Sequence, residues 1–163
     1  MNRNMYFSSV LGCNLGMFYK RRDYTRVVNG RNPIVAHEYL GDSVEGKTVF
    51  IADDIIASGE SMLEVASNLK ARGAKRIIAD ATFPLFTSGL DKFDKAVEEG
   101  TLDYVVGTNL TYRKPELLNR DWYVDVDVSK YAAYFIVALN HDMSVSSIID
   151  PIKKIEALLA SRK

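Results

Sequence analysis

The chain has 163 residues, 47% of them hydrophobic, enough to bury a core of single-domain size. Lysine plus arginine and aspartate plus glutamate number 21 each, so no bulk field points to nucleic acid or to an anionic membrane. Cys13 is the single cysteine, which excludes an internal disulfide. No apolar run nears the roughly 18 residues of a membrane span, and the N-terminus lacks a signal peptide's apolar stretch. A soluble, cytoplasmic protein with no nucleic-acid or membrane partner is expected.

The pattern predicts a helix over residues 3–12, with Met5, Val10 and Leu11 inward and Gly12 to Asn14 ending it. Residues 15–19 read as a strand. Residues 20–33 join Lys20, Arg21, Arg22, Arg26 and Arg31 to Asp23, Asn29-Gly30 and Pro33, a cation-rich excursion of turn formers. Residues 34–40 are a strand, and its His37 reads as structural rather than as a base.

Residues 48–63 organise the chain. A buried strand (Val49 to Ala52) ends in Asp53 and Asp54, and a Ser/Gly turn then opens a helix with Ser58 as its N-cap. Met62, Val65, Ala66 and Leu69 recur at helical spacing, and Gly73 closes the helix. The N–H groups of Ser58 to Ser61 are helix-start donors that suit a phosphate. Asp53 and Asp54 cannot favour that phosphate, so they serve hydroxyls or a cation beside it. A phosphorylated sugar has both needs.

Further strands are predicted at 76–82, 104–107 and 122–126, and helices at 90–99, 131–139 and 144–159, the last broken at Pro151. The aromatics of 131–139 are expected in the core, and Asp125 and Asp127 in solvent. Thr108-Asn109-Leu110 places small polar groups on the sheet edge that follows the acidic pair. Strands alternating with helices through short loops predict an α/β fold: an open, mainly parallel sheet with helices on both faces. Serine or cysteine nucleophile signatures, paired Cys/His metal ligands and a G-x-x-x-x-G-K-[ST] loop are absent, so ATP, if bound, is not held by a Walker motif.

Asp53-Asp54-Ile55-Ile56-Ala57-Ser58-Gly59-Glu60-Ser61 resembles the acidic-pair and phosphate-loop signature of phosphoribosyltransferases and ribose-phosphate diphosphokinases (PRPP synthetases). Lys20-Arg21-Arg22 is similar to the diphosphokinase basic loop, and residues 38–47 to the segment that joins it to the acidic strand. Residues 70–76 and 81–89 follow in that family's order. The likeness covers nearly the whole chain and favours a diphosphokinase. It implies a phosphoribosyltransferase-like fold and transfer of the diphosphoryl group of ATP to C1 of ribose 5-phosphate, giving PRPP and AMP, with Mg²⁺. Asp53 and Asp54 would hold ribose hydroxyls directly or through Mg²⁺, and Ala57, Ser58, Gly59, Glu60 and Ser61 would cradle the 5-phosphate. Lys20 and Arg22 would stabilise the group in flight.

The chain departs from that pattern at Ala57, where the family carries an acid, and at Ser58 and Ser61, where it carries threonine. Glu60 replaces a small residue, and Phe83 stands where histidine is common. Set against the family, residues 1–163 read as one domain that lacks the N-terminal domain and its own first strand. The chain alone is therefore not expected to make PRPP, and it should form a homo-oligomer or join a complementing N-terminal polypeptide. Two other readings share the acidic pair: a nucleobase phosphoribosyltransferase or PRPP-sensing regulator, and a non-catalytic subunit or fragment acting in assembly.

Overall fold

The computed structural model describes residues 2–22 and 34–161. They fall into two compact units, Met1–Val44 and Glu45–Lys163. In the first unit, helix α1 (Asn2–Leu11) is followed by strands β1 (Met17–Arg22) and β2 (Ile34–Leu40), paired antiparallel from Met17↔Leu40 to Arg22↔Ile34. β1 therefore begins later than expected and runs through the basic triplet. The ladder explains this: a seven-residue β2 supplies partners as far as Ile34, so Lys20 pairs with His37 and Arg21 with Ala36 instead of turning away.

The second unit carries β3 (Thr48–Ile56), α2 (Glu60–Ala71), β4 (Arg76–Pro84), α3 (Asp91–Glu98), β5 (Tyr104–Thr108), α4 (Pro115–Leu118), β6 (Tyr123–Val126), α5 (Ser129–Asn140), α6 (Ser146–Ile149) and α7 (Ile152–Ala160). Its four strands lie in the order β3-β4-β5-β6, all parallel, and helices flank the sheet. Parallel strands need crossovers, and α2 and α3 supply them from sequence already read as helical. In register, Ile51 lies beside Ala79 and Ala79 beside Val105, then Asp53 beside Ala81 and Ala81 beside Gly107. Alternation along β4 buries Ile77, Ala79 and Ala81 on one face. Met62, Ala66 and Leu69 of α2 and Phe93 and Ala96 of α3 are also buried. Gly107 leaves room for its neighbours, since a Cβ there would meet the Tyr123 hydroxyl at 2.5 Å and Pro84 Cγ at 2.7 Å.

Phe86, Phe93, Trp122 and Tyr123 form one aromatic cluster. Phe93, fully buried, stands edge-on to Phe86 at 4.8 Å and stacks on Trp122 at 5.9 Å between ring centroids. Burial of such a ring is worth about 1.5–3 kcal/mol. Asp94 ties the next turn to the same cluster: it accepts two hydrogen bonds from Arg120, at 2.9 and 2.8 Å, and one from Trp122 Nε1 at 2.7 Å.

α5 corrects an expectation. Tyr131 and Tyr134 are exposed, and among its described residues only Ala138 is buried. The run 131–139 is apolar on nearly every side, so a neighbour on one side cannot cover it all. Asp125 and Asp127 lie at the surface as expected, but neither is merely solvated. Asp125 is ion-paired with Arg113, and Asp127 accepts from the Ser129 N–H and from Asn109.

Candidate sugar-phosphate site

β3 is longer than its sequence suggested. The apolar pattern stops at Ala52, yet Ile55 pairs with Phe83 and Ile56 with Pro84, so the acidic pair sits inside the strand. Two β-branched residues after the acids and a nine-residue β4 beside them carry the ladder onward. Both carboxylates are exposed, and the Asp54 N–H donates to Asp53 Oδ1 at 2.7 Å. Neighbours on an extended strand project to opposite sides, so the two carboxylates leave the strand in different directions.

The turn that follows is set by glycine, not serine. Gly59 is the N-cap residue of α2, with φ +79°, and no side chain caps the helix. Ser58 Oγ lies 3.5 Å from the Glu60 N–H, too long for the N-cap bond expected of it. The left-handed backbone at 59 decides this, because only glycine adopts it without cost. A Cβ at Gly59 would also fall closer than 3.0 Å to Cε2 and Cζ of Phe93, so the turn is seated directly on α3.

The loop after β4 holds the turn from the other side. The N–H groups of Leu85 and Phe86 donate to Ile56 O at 2.9 and 3.1 Å, and that of Thr87 to Ala57 O at 2.9 Å. The first helical bond, Leu63 N–H to Gly59 O, closes at 2.9 Å. Donors from Glu60 to Met62 therefore precede the helical ladder and form the positive end of α2. Ala57 and Ser61 are exposed beside them.

Glu60, at the start of α2, does not carry its charge alone. Its carboxylate accepts from Lys92 Nζ at 2.6 Å, and that hydrogen bond and the Lys92 charge hold it below the usual glutamate range. Sequence reasoning missed Lys92, which falls in a charged amphipathic helix 32 positions away. It also missed a network at the ends of β5 and β6. Thr108 Oγ1 donates to Thr82 O at 2.7 Å, while the Asn109 amide donates to Asp127 and Ser129 and its Oδ1 accepts from the Val128 N–H. Only the small polar character of 108–110 hinted at it. The Asp127 carboxyl is held below its ordinary range by its bonds to Ser129 and Asn109.

The remaining expected residues are Lys20 and Arg22. Their backbones belong to β1, in the first unit, and their side chains lie outside the described residues, as do Arg26 and Arg31 altogether. Phe83, the last residue but one of β4, is exposed and lies beside Ile55 of β3.

A parallel α/β sheet whose edge joins an acidic pair to a glycine-capped helix start defines a phosphoribosyltransferase-like protein. The chain belongs to the phosphoribosyl transferase domain family, whose model matches residues 3–129. Among curated relatives it is 35% identical over 114 residues to a ribose-phosphate pyrophosphokinase of Wolinella succinogenes, covering 70% of this chain and 34% of that one. It is 29% identical over 135 residues to a ribose-phosphate pyrophosphokinase of Shewanella oneidensis, covering 83% and 40%. A solved phosphoribosylpyrophosphate synthetase from Mycobacterium smegmatis shares the fold, with a TM-score of 0.64 at 20% identity over 85% of this chain and 41% of that one. The chain thus spans about a third to two-fifths of the length of these relatives. No helix among the described residues is long and apolar enough to cross a membrane.

Proposed function

We propose that this chain carries the ribose-5-phosphate-binding part of a ribose-phosphate diphosphokinase, whose reaction moves the diphosphoryl group of ATP to C1 of ribose 5-phosphate. One observation carries the reading: in a member of the phosphoribosyl transferase domain family, Asp53 and Asp54 sit on the strand that runs straight into the Gly59 turn and the start of α2. The turn 57–61 receives the 5-phosphate on its N–H groups, and the two carboxylates hold ribose hydroxyls. Sequence similarity to the ribose-phosphate pyrophosphokinases supports the choice of reaction.

Magnesium fits the donor chemistry in one manner only. Among the described residues no group of three or more His, Cys, Asp or Glu could hold a metal ion, so this part offers no all-protein cage. Mg²⁺ commonly binds through one or two carboxylates with substrate oxygens and water, and exposed Asp53 and Asp54 suit that role. When bound, the ion would offset charge on the transferring phosphates. Lys20 and Arg22 are assigned the same task on the strength of the basic-loop resemblance. ATP, and an oligomer or complementing polypeptide that supplies its pocket, complete the proposal.

Calorimetric titration with ribose 5-phosphate tests it. Binding by the wild type, and loss of about tenfold or more in affinity in Asp53→Asn/Asp54→Asn, is the expected outcome, since carboxylate hydrogen bonds of this kind contribute about 1.5–3 kcal/mol each. Equal affinity of the two proteins would remove the carboxylates from the site. Incubation with Mg²⁺, ATP and ribose 5-phosphate, followed for AMP, addresses turnover; sustained turnover by the unaided chain would show that no complement is needed.

A further inference from the structure

The proposed phosphate turn contains a residue of the wrong sign. Glu60 lends its N–H to the first turn of α2 and extends a carboxylate from the same position. Lys92 answers it from the first turn of α3, with Nζ 2.6 Å from Oε1. The framework beneath them is fixed. Gly59, next to Glu60, is seated on the ring of Phe93, next to Lys92, and Phe93 is fully buried. Leu85, Phe86 and Thr87 bond the intervening loop to Ile56 and Ala57. The heads themselves are open to water, with side-chain exposures of 49% for Lys92 and 70% for Glu60, so an arriving anion can reach both.

We propose that Lys92 is a positioning cation of the sugar-phosphate site and that Glu60 is its resident counter-ion. This deepens the function proposed above and rests on it. An ammonium has three donors and needs only one for Glu60, so Lys92 turns others toward a phosphate oxygen when the turn is occupied. Glu60 then acts in two ways against the ligand: it repels the phosphate, and it competes for the cation. Lys92 favours a charged phosphomonoester over a neutral sugar, Glu60 offsets that preference, and the balance between them makes the affinity depend on salt.

A merely stabilising ion pair makes a different prediction, which gives the test its edge. Titration calorimetry of the full chain is run with ribose 5-phosphate and with ribose, on the wild type, Lys92→Ala, Glu60→Gln, the double variant and Lys95→Ala. Lys95 is on the same helix, exposed and paired with Glu99, and controls for net charge. Lys92→Ala should weaken ribose 5-phosphate roughly three- to tenfold, the scale of one partly screened charge contact. Glu60→Gln should tighten it by a similar factor, and the double variant should return to within about twofold of wild type on the same reasoning. Lys92→Arg should retain binding, Lys95→Ala should match wild type, and ribose should not distinguish the proteins. Loss of affinity in Glu60→Gln would overturn the proposal, because a structural pair loses from either side. So would a Lys92→Ala variant that behaves like Lys95→Ala while the wild type binds. Absence of ribose 5-phosphate binding by the wild type would instead remove the underlying reading, and the role of Lys92 with it.

Discussion

Gly59→Ala probes the step at which the strand turns into the helix. Two costs add at this position. The backbone is left-handed at φ +79°, which charges an L-residue about 1–2 kcal/mol. The new methyl would also lie closer than 3.0 Å to Cε2 and Cζ of Phe93, a ring already held by Phe86 at 4.8 Å and Trp122 at 5.9 Å. Forcing extra volume against so confined a ring costs about 1–3 kcal/mol. The expected total is about 2–5 kcal/mol. Gly89→Ala separates the two terms, because Gly89 has φ +82° but nothing within 4 Å of its would-be Cβ, and should cost only the backbone share. Equilibrium urea unfolding of both variants measures the difference, and combining Gly59→Ala with Phe93→Leu should recover part of it, since the two sites touch. Equal losses for Gly59→Ala and Gly89→Ala would refute the claim that the turn is seated on α3.

The other expected outcomes concern the core beside the site. Burial alone would raise the Asp94 carboxyl, but the hydrogen bonds from Arg120 and Trp122 and the Arg120 charge outweigh it and hold the group below its ordinary value of 3.8. A depressed carboxylate contributes stability that is complete above its unfolded value and fades as pH falls through the folded one. Asp94→Asn should therefore lose about 1–2 kcal/mol at neutral pH, discounted for partial exposure, and the gap to wild type should narrow in unfolding curves taken below pH 3.8. Tyr123 is the opposite case: burial, then the Asp125 charge, push its phenol up to about 12, and its hydroxyl has no hydrogen-bond partner among the described residues. Tyr123→Phe should leave thermal stability unchanged or raise it by up to about 1 kcal/mol, since an unsatisfied hydroxyl is removed. The wild type should lose stability as pH rises from 10 towards 12, and the phenylalanine variant should lack that share of the loss.

The periodic parts of the fold were legible for a physical reason. β4 alternates buried and open positions, and α2 repeats its apolar residues at helical spacing, so each pattern has one dominant period. Boundaries failed where pairing overrode composition. Lys20-Arg21-Arg22 reads as loop by charge, yet β2 recruits it into a ladder, and Asp53-Asp54 reads as a strand end, yet β4 carries β3 on to Ile56. At the turn, the sequence offered a serine and a glycine side by side. Capping preference favours Ser58, but the chain direction needed to lay α2 back along the sheet demands a left-handed residue, and Gly59 alone supplies it cheaply. Lys92 was invisible because nothing local marks one lysine of an amphipathic helix as the partner of a distant glutamate. Only the packing of Gly59 on Phe93 brings them together.

That packing also bears on the charge carried at the turn. Glu60 and Lys92 belong to different helix starts, and each start is anchored by its neighbour in the sequence, Gly59 or Phe93. If the turn holds a phosphate as proposed, Glu60 is tolerable there only while Lys92 stands opposite it. The cation stands there only while the glycine keeps the turn pressed on the ring. Substitution at Glu60 alone therefore changes charge and leaves geometry intact, whereas substitution at Gly59 changes both. Affinity for ribose 5-phosphate should accordingly rise in Glu60→Gln with unfolding midpoints unmoved, and fall in Gly59→Ala together with stability. The two variants, one residue apart, thus separate the electrostatic from the steric contribution to the same turn.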